Sequence, residues 1–168
     1  MDARSAARGT TAFALVPITV GGLLPWLVGS ATGGAWAETA LGTVAGWALV
    51  ALGIAGLAES FVRFARDGRG TPSPTAPTEH LVVTGPYRYV RNPMYVAVLA
   101  AIVGHALLWR SAAVLAYAGC FVLAVTAFVA LYEEPTLRGR HGAAYDSYTA
   151  TVPRWLPRPG HVWPHDTA

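Results

Sequence analysis

The sequence predicts an all-α integral membrane protein with about four transmembrane helices, and three observations support this fold class. Hydrophobic residues make up 54% of the 168-residue chain and charged residues only 12%, a composition that is unusual for a soluble domain. Four apolar stretches approach or exceed the length needed to cross a hydrocarbon core of about 30 Å. Arginines are concentrated in alternate loops, as in multi-pass membrane proteins. The length, 1–168, is that of a single domain.

The predicted spans are the apolar runs between polar segments, namely Thr11–Gly29, Ala40–Phe64, Met94–Trp109 and Ala112–Tyr132. The first run precedes Ala35-Trp36-Ala37, as in a cleavable signal peptide, but it is longer than a usual signal-peptide core and contains two prolines. We therefore expect it to remain as a membrane helix. Only a short turn at Arg110-Ser111 separates the last two spans, which predicts an antiparallel helical hairpin.

The positions of the arginines predict the orientation of these spans. Ten of the twelve basic residues lie before the first span, between the second and third, or after the fourth. Arg63 lies at the end of the second span next to the long loop, and only Arg110 lies on the other side. The positive-inside rule then places both termini and the long loop in the cytoplasm. The absence of lysine with abundant Ala and Gly is typical of a GC-rich bacterial genome, so we expect a bacterial inner (plasma) membrane. Because the arginines form no basic run, no nucleic-acid partner is expected.

The long loop contains an irregular segment followed by a dense polar motif. Two glycines and three prolines in Asp67–Thr78 exclude regular structure there. This segment could be a passive linker or a lid over a site, and the motif that follows it favours a lid. A short apolar segment, Leu81-Val82-Val83, and a turn at Gly85-Pro86 come next. Asn92-Pro93 then begins the third span, with the proline near the first helical position, where its missing N–H costs nothing.

Polar and charged side chains gather at the cytoplasmic edge of the predicted bundle. One group precedes the third span and another follows the fourth, so an antiparallel hairpin brings them together. Charged groups at the edge of a bilayer are costly unless they pair or bind something, which indicates a ligand site. The candidate residues are Tyr87, Arg88, Arg91, Asn92, Pro93, Tyr95, Glu133, Glu134, Tyr145, Tyr148 and Arg154.

These residue types suit a zwitterionic small molecule. Carboxylates accept hydrogen bonds from ribose hydroxyls or an ammonium, arginines bind a carboxylate, and aromatic rings attract a sulfonium through cation–π interaction. The sequence has no Cys/His cluster with metal spacing, no phosphate-binding glycine loop and no nucleophile elbow, so neither a metal site nor hydrolysis is expected. The alternative is that the arginines and tyrosines only anchor the helices at the interface.

Four motifs follow one another within region 81–157. They are Gly85-Pro86-Tyr87-Arg88-x-x-Arg91-Asn92-Pro93-x-Tyr95, Glu133-Glu134-Pro135-x-Leu137, Gly142-x-x-Tyr145-x-x-Tyr148 and Val152-Pro153-Arg154. As an ordered set they resemble the signature of the isoprenylcysteine carboxyl methyltransferase and phospholipid methyltransferase superfamily. The resemblance implies a membrane enzyme that binds S-adenosylmethionine between its last helices, cytoplasmic loop and C-terminal tail. It implies direct in-line transfer of a methyl group to a lipophilic acceptor, either an isoprenoid carboxylate or a lipid amine, that enters from the bilayer.

The resemblance also implies roles for the candidate residues. The cofactor pocket would be lined by Tyr87, Arg88, Arg91, Asn92, Pro93, Tyr95, Glu133 and Glu134. Tyr145, Tyr148 and Arg154 would close the pocket or approach the acceptor. An amine acceptor would need to lose a proton, which Glu133 or Glu134 could take. Adjacent helical residues point about 100° apart, so we expect only one of this pair to contact the ligand. We expect Pro135 to turn the Glu134 side chain out of the helix.

Two departures from the family pattern leave the acceptor open. Eukaryotic carboxyl methyltransferases usually have His at the position of Asn92 and an aromatic residue at that of His141. Two other functions remain as alternatives. A nicotinamide-dependent membrane reductase of a sterol-like or isoprenoid double bond would share the Arg-x-Pro-x-Tyr pattern, although such enzymes usually have more helices. A non-catalytic membrane partner protein would use its basic face to bind anionic lipid.

Overall fold

The computed structural model describes residues 15–67 and 81–164, and within these ranges the chain is helical without β-strands. The first helical segment, Leu15–Thr32, contains a π-turn at Thr19–Leu23 and then helix α1. The helical elements after this π-turn follow in chain order. They are α1 (Leu24–Thr32), α2 (Ala40–Asp67), a 3-10 turn (Gly85–Arg88), α3 (Pro93–Trp109), α4 (Ala112–Phe128), a second π-turn (Val129–Glu133), α5 (Glu134–His141) and α6 (Ala143–Thr151).

Three of the described helical segments are long and apolar enough to cross a membrane, namely Leu15–Thr32, Ala40–Arg63 and Ala112–His141. Helix α3 is also apolar but has only 17 residues. Large apolar side chains on the outside of the bundle remain exposed, with Leu41 on α2 and Leu131 after α4 both 80% exposed. Such surfaces are expected to contact lipid, and they agree with the predicted all-α membrane protein.

The helices begin or end differently from the predicted spans at several places. Residues 11–14 of the first predicted span and residues 68–80, which include most of the predicted lid, lie outside the described residues. The first helix ends at Thr32 rather than Gly29, and Asp67 belongs to α2 rather than to the loop. The largest difference is at the fourth span, where the helix continues beyond Tyr132 to His141.

The expectation that Pro135 would turn Glu134 out of the helix is wrong. Glu134 keeps helical backbone angles of φ −63° and ψ −44°. Proline in a helix loses one hydrogen bond and its ring meets the carbonyl four residues before it. The π-turn Val129–Glu133 directly precedes this proline, and Pro135 occupies the first turn of α5. A wider turn at this point accommodates the proline without ending the helix.

Helix α3 is the centre of the bundle because it packs against α1, α2 and α4. Ile102 and Ala106 are fully buried and form a core with Val114 of α4. A helix with neighbours on several sides must be apolar around its whole circumference, which explains the continuous apolar sequence of α3.

Small residues allow α2 to approach α3 closely. A Cβ atom added to Gly53 would lie 2.7 Å from the carbonyl oxygen of Ala97, and one added to Gly46 would lie 3.1 Å from that of Gly104. Of the two glycines in the Gly42-x-x-x-Gly46 pattern, Gly46 therefore lies against α3, whereas a Cβ on Gly42 would meet only Thr39 within 4 Å. Close backbone approach at glycine is typical of membrane helix pairs.

Replacing Gly53 is expected to destabilise this helix pair. In Gly53→Val the new side chain meets backbone atoms of α3, which cannot move away as a flexible side chain would. Overpacking of this kind costs about 1–3 kcal/mol, which thermal unfolding in detergent would detect. Gly119→Val is the matched control, since a Cβ at Gly119 meets nothing within 4 Å. Equal unfolding temperatures for the two variants would contradict the close packing of α2 on α3.

The predicted antiparallel hairpin is present between α3 and α4. Arg110 adopts the left-handed conformation with φ 53°, and the Ser111 hydroxyl accepts a hydrogen bond from the Val114 N–H at 3.2 Å to cap α4. The Thr32 and Ser111 hydroxyl oxygens lie 2.7 Å apart, which ties the end of α1 to this turn. The opposite ends of α3 and α4, which carry the candidate site residues, are therefore on one side of the bundle.

Gly142 divides the C-terminal region into two short helices. Its backbone angles, φ 50° and ψ −127°, lie in a region that glycine adopts more readily than other residues. The spacing of His141, Tyr145 and Tyr148 would put them on one face of a continuous helix, but the helix breaks after the histidine, so His141 does not share their face. Tyr145 and Tyr148 still share α6, and both are buried with Val83.

Candidate functional site

The segment before α3 and the C-terminal tail run side by side and form the base of the site. The Arg91 backbone N–H donates to the carbonyl of Pro153 at 2.9 Å, and the Trp163 N–H donates to that of Arg88 at 3.0 Å. The side-chain amide of Asn92 donates to the Arg154 carbonyl at 3.1 Å. These bonds fix the backbone position from which the Arg154 side chain extends.

The Glu134 carboxylate is the centre of the site and connects three segments of the chain. Arg91 Nη1 donates to its Oε1 at 2.9 Å. Arg154 binds it with two parallel hydrogen bonds, from Nε to Oε1 and from Nη2 to Oε2, both at 2.8 Å. The Glu134 and Arg91 side chains are only 13% and 15% exposed. Bidentate arginine–carboxylate pairs are strong and directional, so Glu134 holds the start of α3, α5 and the tail together.

Glu133 has different partners from its neighbour. The Tyr95 hydroxyl donates to Glu133 Oε2 at 2.9 Å, and this is the one hydrogen bond of the Glu133 side chain among the described residues. The Trp155 ring packs edge-on against Tyr95, with centroids 6.4 Å apart. Both carboxylates therefore meet the beginning of α3, as the predicted hairpin requires. That only one of these two glutamates contacts a ligand stays a prediction.

Two tyrosines of α6, Tyr145 and Tyr148, are buried next to the cluster. The Tyr148 hydroxyl donates to the Tyr87 carbonyl at 2.7 Å. Burial raises the pKa of Tyr148 above its ordinary value, with the Arg91 charge opposing this change. Burial likewise raises the pKa of Tyr145, and the Glu134 charge adds to the increase. Both phenols are therefore neutral at physiological pH and act as hydrogen-bond donors rather than as bases.

The structure brings most predicted site residues into this cluster, but it uses three of them differently. The Arg88 side chain donates from Nε to the Trp163 carbonyl at 2.7 Å and lines a separate cleft. Tyr87 is buried under α6, and burial raises the pKa of its phenol. Pro93 is buried at the start of α3. The cofactor-binding roles of these three residues stay predictions.

Two tryptophans of the tail contribute to the site in ways that the motifs did not indicate. Trp155 packs on Tyr95, and Trp163 packs edge-on against Tyr148 with centroids 5.5 Å apart. The position of Trp155 directly after Arg154 was the one available signal. Nothing in the sequence near Trp163 indicated its bonds to Arg88, 75 residues earlier.

The groups present fit a zwitterionic cofactor such as S-adenosylmethionine. Arg91 Nε is buried and makes no hydrogen bond within the described part of the chain. A buried donor without a partner is costly, so a ligand carboxylate at this point would be stabilising. Glu133 keeps acceptor capacity beyond its one bond from Tyr95, which suits a hydroxyl or a positively charged group.

Comparison with known protein families matches residues 41–144 to the family described as phospholipid methyltransferase. The match covers more than half of the chain and includes α2 to α5, with Arg91, Tyr95, Glu133 and Glu134 inside it. No curated protein and no solved structure matches the chain significantly. Because this family match coincides with the helices that build the carboxylate–arginine cluster, the chain belongs to the phospholipid methyltransferase family of membrane methyltransferases.

Proposed function

We propose that the protein transfers a methyl group from S-adenosylmethionine to a lipophilic acceptor at the edge of the membrane. One observation carries this proposal: Glu134, bound by Arg91 and Arg154, and Glu133, bound by Tyr95, lie side by side at one end of an apolar bundle. These residues belong to the motifs of a methyltransferase family. When bound, S-adenosylmethionine supplies a methyl group that its sulfonium already activates for transfer. The protein then has to supply binding, alignment and electrostatic stabilisation.

Arg91 is the proposed anchor for the cofactor carboxylate. Its Nη1 is held by Glu134, while its buried Nε has no partner among the described residues. Burial raises the pKa of Tyr145, so its phenol is neutral and its hydroxyl can donate to the same ligand. Glu134 is fully engaged by two arginines and therefore positions them rather than reacting itself.

Glu133 is the proposed residue nearest the acceptor. It directly follows Leu131 and Tyr132, which are 80% and 50% exposed on the outer face of the bundle. An acceptor dissolved in the bilayer would therefore reach Glu133 without crossing an aqueous layer. A carboxylate acceptor needs no base, whereas an amine must lose a proton, which the Glu133 carboxylate can accept.

Both competing functions have less support. The family match favours methyl transfer over nicotinamide-dependent reduction. A non-catalytic membrane partner would leave the buried Arg91 Nε without the ligand that the site is suited to hold. The arginine distribution supports an orientation with both termini in the cytoplasm of a bacterium, so that a cytosolic cofactor meets a lipid-borne acceptor.

Calorimetric titration of the detergent-purified protein with S-adenosylmethionine and its demethylated product tests this proposal. Saturable binding is expected for both ligands and not for reduced nicotinamide dinucleotide. Arg91→Gln is expected to weaken binding about tenfold to a hundredfold, since a hydrogen bond to a charged group contributes about 1.5–3 kcal/mol.

Asp146→Asn is the matched control for this titration. Asp146 pairs with Arg138 at 2.7 Å on the exposed surface of the same C-terminal region, outside the cluster. The Asp146→Asn variant should bind the cofactor as the wild type does. Binding of reduced dinucleotide instead of S-adenosylmethionine would replace our proposal with the reductase. A folded protein that binds neither would leave the non-catalytic partner. If S-adenosylmethionine binds as expected, a labelled-methyl screen of a lipid extract would identify the acceptor class.

A further inference from the structure

Trp155 lies beside the carboxylate–arginine cluster, and the proposed methyl transfer gives it no task. The family match ends at residue 144, so it assigns nothing to this tryptophan. Trp155 directly follows Arg154 in the tail, and its side chain is half-buried rather than enclosed in the core. A partly exposed tryptophan next to a ligand site can contact the ligand as well as the protein.

Hydrogen bonds of the two preceding residues fix the position of Trp155. The Pro153 carbonyl accepts a hydrogen bond from the Arg91 N–H at 2.9 Å. The Arg154 carbonyl accepts one from the side-chain amide of Asn92 at 3.1 Å. The backbone that carries Trp155 is therefore anchored to the segment that begins α3.

Trp155 and Glu133 both contact Tyr95. The Trp155 ring packs edge-on against the Tyr95 ring, with centroids 6.4 Å apart and planes inclined at 62°. The Tyr95 hydroxyl donates to Glu133 Oε2 at 2.9 Å. A contact of this kind covers at most one face of each ring, so it leaves at least one face of the Trp155 indole for another partner.

Glu133 brings a negative charge to this aromatic pair. Its neighbour Glu134 is neutralised by two arginines. Glu133 itself pairs with no basic side chain in the part of the chain that the structure describes, and it accepts its hydrogen bond from a neutral hydroxyl. A charged group at the edge of a membrane is costly unless it has a partner. A cation would be attracted both by this carboxylate and by the face of the indole ring.

We propose that Trp155 is a specificity-determining residue whose ring, together with Tyr95 and Glu133, binds an alkylated cation. This inference rests on the proposed function and deepens it. The cation is the sulfonium of the cofactor or the ammonium of a methylated acceptor, since both carry methyl groups around a positive charge. Aromatic rings recognise such cations, and tryptophan attracts them more strongly than tyrosine or phenylalanine does.

Calorimetric comparison of S-adenosylmethionine with its demethylated product tests this inference, because the two ligands differ only in a methyl group and its positive charge. In Trp155→Leu the ratio of the two dissociation constants is expected to shift about fivefold to thirtyfold in favour of the product. Trp155→Phe keeps a ring and should restore part of the wild-type ratio. Trp47→Leu is the matched control and should keep that ratio, since Trp47 is 63% exposed on the outside of α2. Equal weakening of both ligands in Trp155→Leu would overturn the role of Trp155 in binding the sulfonium, because it would show a structural role only.

A second arm separates the two sources of the cation by titrating the same variants with choline and with its uncharged carbon isostere. A preference of the wild type for choline that Trp155→Leu loses would identify the acceptor ammonium as the ligand. A shift confined to the cofactor pair would identify the sulfonium. No shift in either pair would overturn the inference. Thermal unfolding of each variant establishes that the comparison is made on folded protein.

Failure of the proposed function gives a different result from failure of this inference. A wild type that binds neither S-adenosylmethionine nor its product would remove the proposed methyl transfer. The choline titration would then decide on Trp155 alone, with a preference lost in Trp155→Leu supporting the cation site and an unchanged preference overturning it.

Discussion

Glu134→Gln is expected to abolish measurable cofactor binding and to destabilise the protein strongly. The substitution removes the negative charge that Arg91 and Arg154 share, and Arg91 is largely buried. Removing one partner of a buried ion pair costs about 3–5 kcal/mol, because the other charge stays withdrawn from water. Arg154 is 35% exposed and can turn towards solvent, so we expect a loss near the lower end of that range.

Unfolding in detergent and calorimetric titration of the same samples measure both effects. Asp146→Asn removes a carboxylate from the exposed pair with Arg138 and should cost less than about 1 kcal/mol. An Arg154→Gln variant should lose stability in the same way, and a Glu134→Gln/Arg154→Gln double variant should lose less than the sum of the two. If Glu134→Gln were no less stable than Asp146→Asn, Glu134 would not be the residue that joins the three segments.

The parts of the fold that could be predicted are those that depend on local periodicity and on chain connectivity. A turn as short as Arg110-Ser111 leaves two apolar helices no arrangement except antiparallel, so Tyr95 and Glu133 had to meet. The spacing of Glu59 and Arg63, four residues apart on a helix, likewise predicts their ion pair. In such cases the backbone geometry alone determines which side chains are neighbours.

The predictions that were wrong depend on backbone states that have no simple sequence pattern. A proline normally ends a helix, but the π-turn before Pro135 lets the helix continue, so Glu134 faces the arginines. Gly142 was recognised as part of a motif but not as a helix break, because glycine also occurs inside helices, including those of this protein. A glycine inside a helix costs about 1 kcal/mol and a proline about 3 kcal/mol, amounts that tertiary packing can outweigh.

The return of the tail could not be predicted because it depends on contacts between residues far apart in the chain. Trp163 is bound to Arg88, and Arg154 to Glu134, through bonds that span 75 and 20 residues. The sequence indicated that these residues belong to one site, but not which partner each arginine binds. Arg88 was grouped with Arg91 because both precede α3, yet the structure directs the Arg88 side chain to a different cleft.

The structure suggests that the two adjacent carboxylates have different tasks. Glu134 accepts three hydrogen bonds from two arginines, so its charge is neutralised and its position is fixed. Glu133 accepts one hydrogen bond from a neutral hydroxyl, that of Tyr95, so its charge is not compensated by an arginine in the same way. An uncompensated carboxylate next to the lipid-facing surface can attract a cationic acceptor or take up its proton.

Glu133→Gln is therefore expected to slow methyl transfer without a comparable loss of cofactor binding or stability. With a lipid amine as acceptor, loss of the proton-accepting group should lower kcat by about 10²–10⁴-fold. The amide has the same shape and its oxygen can still accept the Tyr95 hydrogen bond, so the unfolding temperature should change little. Tyr95→Phe is the companion variant: it keeps the carboxylate and should lower kcat far less.

The same pair of variants discriminates between the two acceptor classes. A carboxylate acceptor carries no proton to remove, and the negative charge of Glu133 would repel it. Glu133→Gln should then leave kcat unchanged or raise it, with KM for the acceptor lowered. Slow transfer to an amine combined with unchanged binding of S-adenosylmethionine would assign Glu133 to the acceptor side of the site. An unchanged rate with an amine would contradict its role as proton acceptor, and the amine would then have to arrive already deprotonated.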